Sequence, residues 1–191
     1  MRKLPPSLEN PISNVFISVA DAISPALYHT GHTPNLVTAY SASCAALALV
    51  ALHHGDKVGF AGLWLLHPFW DTVDGHFARK YGMTSPLGDW LDHITDSAAF
   101  LALLVVVVRR YDMAKVPLAL KLGLFVLLAL FFVQMGCQQK YVGSTGETLD
   151  VLKPACPDAS WARVTRWFGH GTLHLAIVAA VLYMEDHCKK D

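Results

Sequence analysis

The sequence predicts an all-α integral membrane protein, a bundle of five transmembrane helices preceded by an N-terminal amphipathic helix in the interface. Three observations predict it. The chain of 191 residues is 53% apolar and only 16% charged, against about 25% charged in soluble domains. Its apolar residues gather into long runs, on the scale of the roughly 20 residues that cross a bilayer. Two of those runs also carry clustered carboxylates, which lipid does not tolerate unpaired. Fifteen basic residues balance fifteen acidic ones, so the basic excess that marks a nucleic-acid partner is missing. The apolar content equally excludes intrinsic disorder.

The elements follow in order. Residues 8–28 place Leu8, Ile12, Val15, Phe16, Val19, Ile23 and Leu27 at steps of three or four, a helical stripe interrupted by Asn14, Ser18 and Asp21. Pro11 suits the first turn of that helix. The helix either lies in the bilayer interface or packs on the membrane domain. Thr33-Pro34-Asn35 then opens an apolar run over 36–52. The run 58–70 is too short to span, and crosses only if its helix continues through Asp71 and Asp74 towards Lys80. The next run, 87–108, carries Asp89, Asp92 and Asp96 in its first half. Residues 116–137, with Lys121, form the fourth span, and 161–184, opening on Arg163 and Arg166, form the fifth. Between them, 138–160 is polar with Gly, Pro and Ser and reads as a loop. The chain therefore divides into an interfacial segment 1–33, a transmembrane domain 34–184 and a polar tail 185–191.

No cleavable signal peptide is expected, because no continuous apolar stretch follows Met1-Arg2-Lys3. Cys44, Cys137, Cys156 and Cys188 are widely spaced, and neither a zinc site nor a disulfide framework is expected from them. Five spans put the termini on opposite sides of the membrane. Eight Lys and Arg on the N-terminal side face six on the other, a slight bias towards an N-terminus in the cytosol or matrix. Endoplasmic reticulum, mitochondrial inner membrane and bacterial plasma membrane are equally compatible with this pattern.

The carboxylates carry the chemistry. Each ionised Asp at a helix centre costs roughly 2.5–3.5 kcal/mol, so Asp71, Asp74, Asp92 and Asp96 are expected to face inward. Asp71 and Asp74 are three residues apart with Gly75 and Ala78 beside them, and Asp92 and Asp96 are four apart with Gly88 one turn before. A divalent cation relieves such clustered charge, and all-oxygen ligands select a hard one, Mg²⁺ or Mn²⁺.

The string Asp71-x2-Asp74-Gly75-x2-Ala78-Arg79-x8-Gly88-x3-Asp92-x3-Asp96 resembles, without a mismatch, the signature of the CDP-alcohol phosphatidyltransferases. Eight fixed residues at fixed spacing arise by chance roughly once in 10⁷ to 10⁸ such chains. Thr33-Pro34-Asn35 is similar to the approach to that family's first spanning helix. The resemblance implies an enzyme of phospholipid synthesis that moves a substituted phosphate from a CDP-linked donor to an acceptor alcohol and releases CMP. It implies two metal ions on Asp71, Asp74, Asp92 and Asp96, with Asp96 also the base on the acceptor hydroxyl. Gly75 and Ala78 would admit the cytidine ring, with Arg79, Asn35 and Gly88 on the nucleotide side. The implied partners are the CDP-linked lipid or alcohol, the acceptor, membrane lipids, and a second copy or a larger membrane complex. Family members have six spanning helices and this sequence five, so the acceptor side is trimmed or completed by a partner. A non-catalytic subunit that keeps the fold and its acidic cluster is the competing reading.

Subfamily signals are mixed. His76 after Gly75 resembles phosphatidylinositol synthases, while Ser85-Pro86-Leu87-Gly88 and Asp92-His93 resemble choline and ethanolamine phosphotransferases. His93 is accordingly a second candidate base, and His76 reads as a rim residue. Asp89 is either an outer ligand or a helix-dipole partner. His170 and His174, four residues apart, invite a haem or metal reading, but a bis-His haem needs ligands on a second helix and only His67 lies at an obvious apolar position, so they are expected to be satisfied helix-end histidines. Gln138, Gln139, Lys140, Arg163 and Arg166 are expected to line an acceptor pocket or a solvated rim.

Overall fold

The computed structural model describes residues 2–143 and 148–190, and every long element among them is a helix. Helix α1 (Pro11–His29) starts where Asn10 accepts from the Ile12 and Ser13 amides, with Pro11 in the first turn. Thr33 caps α2 (Pro34–His53) and Asp56 caps α3 (Lys57–Tyr81) through the Gly59 amide. Gly82, at φ +67°, ends α3 in a left-handed turn that a side chain would strain. Ser85 caps α4 (Pro86–Arg110), and α5 (Leu118–Val142) begins after Pro117.

Among the described residues, four segments are long and apolar enough to cross a membrane: Pro34–His53, Pro86–Arg110, Leu118–Val142 and Ala159–His187. The run 58–70 does continue through both carboxylates, making α3 a 25-residue helix, as long as α4 and α5 but polar in its second half. The loop expected over 138–160 is smaller. Helix α5 extends to Val142, and residues Thr148–Ala155 form a 3-10 helix. The last span is interrupted. It enters through 3-10 turns and a short α6 (Ala162–Thr165), breaks at Gly169 and resumes as α7 (His170–His187).

Packing is polar inside and apolar outside where hydrocarbon would lie. The buried residues of α5 are Gln134, Gly136, Cys137 and Gln139, while Leu118 and Phe125 are exposed. An apolar core of Ala45, Leu52, Phe60, Trp64, Leu103 and Met184 joins α2, α3, α4 and α7 at the end away from the carboxylates. There, Glu185 receives a bidentate pair from Arg110 (2.9 and 2.7 Å) and the Tyr111 hydroxyl at 2.7 Å. The polar stretch from 185 is tied down: Asp112 donates to the Cys188 carbonyl and Lys190 to that of Arg110.

Helix α1 packs on α3 and α7. Its buried face is Ser13, Ile17, Ala20 and Ser24, whereas Val15 and Val19 of the apolar stripe stay exposed. The helix thus has one side on the bundle and an apolar side for the interface. Lys80 and His76 both bond Asp21, at 2.7 and 3.0 Å, and hold its carboxyl down to about 2. His76 is therefore buried under α1 rather than on a rim.

Cys137 and Cys156 form a disulfide, which the sequence reading did not expect. The pairing depends on α5 continuing past Cys137 and on the 3-10 helix returning to it. A Cβ at Gly136 would collide with the Leu152 carbonyl, so glycine lets that segment lie against α5.

Candidate active site

The second half of α3 and the first half of α4 face each other, and their spacing turns the motif residues into a common volume. Oxygens of Asp71, Asp74 and Asp92 lie within 4.8 Å of one another. A second group, Asp71, Asp96 and His170, meets the same limit, so Asp71 belongs to both. The Thr38 hydroxyl, from α2, donates to Asp74 Oδ2 at 2.6 Å and fixes that carboxylate. The all-carboxylate set fits a hard divalent cation, which takes several oxygens and needs them converging.

A cavity of about 1580 Å³ contains the whole constellation: Asp71, Asp74, Asp92 and Asp96, with His93, Asn35, Gly75, Ala78, Arg79 and Gly88 also on its wall. Motif positions up to 61 residues apart in sequence thus share one chamber. The chamber continues between α4 and α5 as an apolar arm, walled by Leu101 and Leu104 on one side and Leu128 and Phe132 on the other. All four are exposed. Helix α4 packs on α2 and α5 on α7, which leaves this slit between them.

Local chemistry refines several expectations. A Cβ at Gly75 would lie 3.1 Å from Arg79 Nη1, so the bare backbone there makes room for the guanidinium. At Gly88 a Cβ would come 3.4 Å from Asn35 Oδ1, which brings the start of α2 against α4. His93 bridges two carboxylates, with Nδ1 donating to Asp92 at 3.2 Å and Nε2 3.7 Å from Asp89. Asp89 is outside both cation groups; it accepts from the Thr148 amide and hydroxyl, at 2.9 and 2.5 Å, and secures the 3-10 helix at the cavity mouth. Glu9, Lys3 and Gln138 also line the cavity, and burial pushes the Glu9 carboxyl up. Lys140 instead serves the Cys156 and Pro157 carbonyls, and Arg166 that of Ser7.

The histidines depart most from expectation. His170 is not a satisfied helix end; its Nδ1 is 3.5 Å from Asp71 Oδ2. His174 is fully buried with neither ring nitrogen hydrogen-bonded. His67, also buried, bonds Ser41 at 2.7 Å and points Nε2 at Asp96, 3.5 Å away. Sequence reasoning missed Thr38 and Ser41, and saw His67 only as a histidine at an apolar position. Thr38 and Ser41 sit one turn apart in an apolar run, which is the signal that marks an inward polar face.

The family model for CDP-alcohol phosphatidyltransferases matches residues 31–184, most of the chain. The chain belongs to this family. As a CDP-alcohol phosphatidyltransferase it is an integral, multi-pass membrane protein of a phospholipid-synthesising enzyme family that transfers phosphate-linked groups from CDP-alcohols. No curated protein and no solved structure matches it.

Proposed function

We propose that this chain is itself an active, divalent-metal-dependent CDP-alcohol phosphatidyltransferase, using a CDP-diacylglycerol or CDP-choline/ethanolamine donor. The observation that carries the reading is the single chamber in which all ten candidate residues meet. Asp71, Asp74, Asp92 and Asp96 would hold the cations, Mg²⁺ or Mn²⁺. Bound there, two such ions would supply neutralisation of the pyrophosphate and of the departing CMP oxygen.

The chain's own residues do the rest. Arg79, folded over Gly75, places positive charge beside the nucleotide phosphates, and the small side chain of Ala78 one turn on admits the cytidine ring. Thr38 keeps Asp74 aimed. Asp96 accepts the proton of the acceptor hydroxyl as its oxygen forms the new bond to the distal phosphorus. The bond from that phosphorus to the CMP oxygen breaks, and CMP leaves with the electron pair. The apolar arm takes the acyl chains of whichever substrate is the lipid.

Purified protein is assayed with each of the three donors and Mn²⁺, following CMP; turnover that disappears in excess EDTA is expected. Asp96→Asn should lower the rate by about 10²–10⁴, the range for a lost general base, while donor binding persists. Normal turnover of Asp96→Asn together with loss in His93→Ala would move the base to His93. No CMP from any donor, with stoichiometric co-purification of another membrane protein, would establish the accessory-subunit reading. Ala78→Leu is expected to abolish donor binding while the protein stays folded in detergent, although overpacking costs about 1–3 kcal/mol. Unchanged donor affinity would place the cytidine elsewhere.

A further inference from the structure

We propose that His170 is a metal ligand, so that one of the two cation positions is a mixed nitrogen and oxygen site on Asp71, Asp96 and His170. The inference rests on the metal-dependent reading above and assigns a residue outside the carboxylate signature, contributed by the last helix. Three observations carry it.

The first is geometry. His170 Nδ1 and Asp71 Oδ2 are 3.5 Å apart, beyond the normal range of an N–H···O hydrogen bond. Two ligands each about 2.1 Å from one ion lie about 3.0–3.5 Å apart, so the spacing suits a shared cation. Asp96 completes the group within 4.8 Å.

The second is how His170 is held. Gly169, just before it, lies so close to α1 that a Cβ would meet Asn10 Cβ at 2.8 Å. Asn10 donates to the Arg166 carbonyl and the Thr172 hydroxyl, both at 2.8 Å, pinning the start of α7. The His170 ring then packs edge-on against His174, with centroids 4.5 Å apart. Both its backbone and its ring are fixed facing the carboxylates.

The third is the bare nitrogen of His67. The Ser41 hydroxyl has one proton and donates it to the His67 carbonyl at 2.9 Å. The bond between Ser41 Oγ and His67 Nδ1, 2.7 Å, therefore takes its proton from the ring, and Nε2 is left as a lone pair. That lone pair, on a side chain 1% exposed, faces Asp96 Oδ1 across 3.5 Å without a hydrogen bond. Two electron-rich atoms aimed at each other in a buried site call for a cation on the carboxylate. His67 acts through Asp96 as a positioning residue; His170 is the ligand.

Imidazole draws a site towards first-row transition ions, whereas Mg²⁺ prefers oxygen alone. The nitrogen position should therefore favour Mn²⁺ over Mg²⁺.

The test is pulsed electron paramagnetic resonance of Mn²⁺ bound to the full chain in detergent. Wild type is expected to bind two Mn²⁺ and to show ¹⁴N modulation that histidine-selective ¹⁵N labelling converts. His170→Phe keeps a ring of similar size against His174, and should lose the nitrogen coupling and weaken one Mn²⁺ by about 10- to 100-fold. His93→Phe and His67→Phe should retain the coupling. If His170→Phe fails to fold, retention in those two variants and in His174→Phe, together with the labelling result, still assigns the nitrogen by elimination. Wild type that binds Mn²⁺ without nitrogen coupling, or a coupling that survives in His170→Phe, overturns this proposal alone. Absence of any Mn²⁺ binding would instead overturn the metal-dependent reading beneath it.

Discussion

Asp71→Asn should remove both cation positions in one substitution and lower CMP release by about 10³, the upper range for loss of one preorganised electrostatic group. The expectation follows from sharing. Asp71 is common to the two ligand groups, while Asp74 and Asp92 belong to one and Asp96 to the other. An amide keeps the size of the side chain but gives up the charge that two cations divide. The contrast is Asp74→Asn, whose carboxylate serves one group and is oriented by Thr38. It should leave one Mn²⁺ bound. Equilibrium Mn²⁺ stoichiometry measured beside CMP release separates the two variants. Two tightly bound ions in Asp71→Asn would show that the carboxylates are divided differently.

Glu185→Ala is expected to have the largest effect on stability. Its carboxylate is 2% exposed and accepts from Arg110, Tyr111 and Lys189 at once. Truncation leaves Nε and Nη2 of Arg110 and the hydroxyl of a fully buried tyrosine without their acceptor, while Arg110 Nη1 keeps the His53 carbonyl. Breaking a buried pair on one side costs about 3–5 kcal/mol. Lys189 is half exposed and adds little. The damage lies far from the carboxylates, at the end where α4, α7 and the chain's last residues meet. Unfolding in detergent should therefore shift strongly, while the fraction still folded binds Mn²⁺ as wild type does. Glu185→Gln, which keeps an acceptor for Tyr111, should be milder. Equal stability of all three proteins would mean that this cluster is solvated enough to be dispensable.

The helices were legible where composition alone sets them. Thr33-Pro34 opens α2 where the sequence places the start of its run, because the chemistry of a helix end is local, whereas the stop at Gly82 and the cap at Ser85 emerge only in the structure. The carboxylate chamber was legible for a different reason: charge inside a membrane-length run has few places to face. What stayed hidden depends on chain returning from a distance. Nothing near Cys137 in sequence announces Cys156, and their pairing follows from where a 3-10 helix lands. Likewise His170 looks like an ordinary residue at the mouth of a span until α1, through Asn10, fixes α7 against α3. His67 was seen only as an apolar-face histidine because its partners, Ser41 and Asp96, lie on two other helices.

The slit between α4 and α5 bears on turnover. A lipid made in a chamber closed on all sides would have to carry its tails through water to leave. At about 0.8 kcal/mol per methylene, two chains of some fifteen carbons each would oppose that exit by roughly 25 kcal/mol. On the function proposed above, with Leu101 and Leu104 across an exposed gap from Leu128 and Phe132, tails would slide out sideways and remain in hydrocarbon throughout. Release then requires only that the headgroup let go. For such a catalyst the bilayer is both solvent and reservoir, and the concentration that sets its rate is a mole fraction in the leaflet rather than a molarity in the surrounding water.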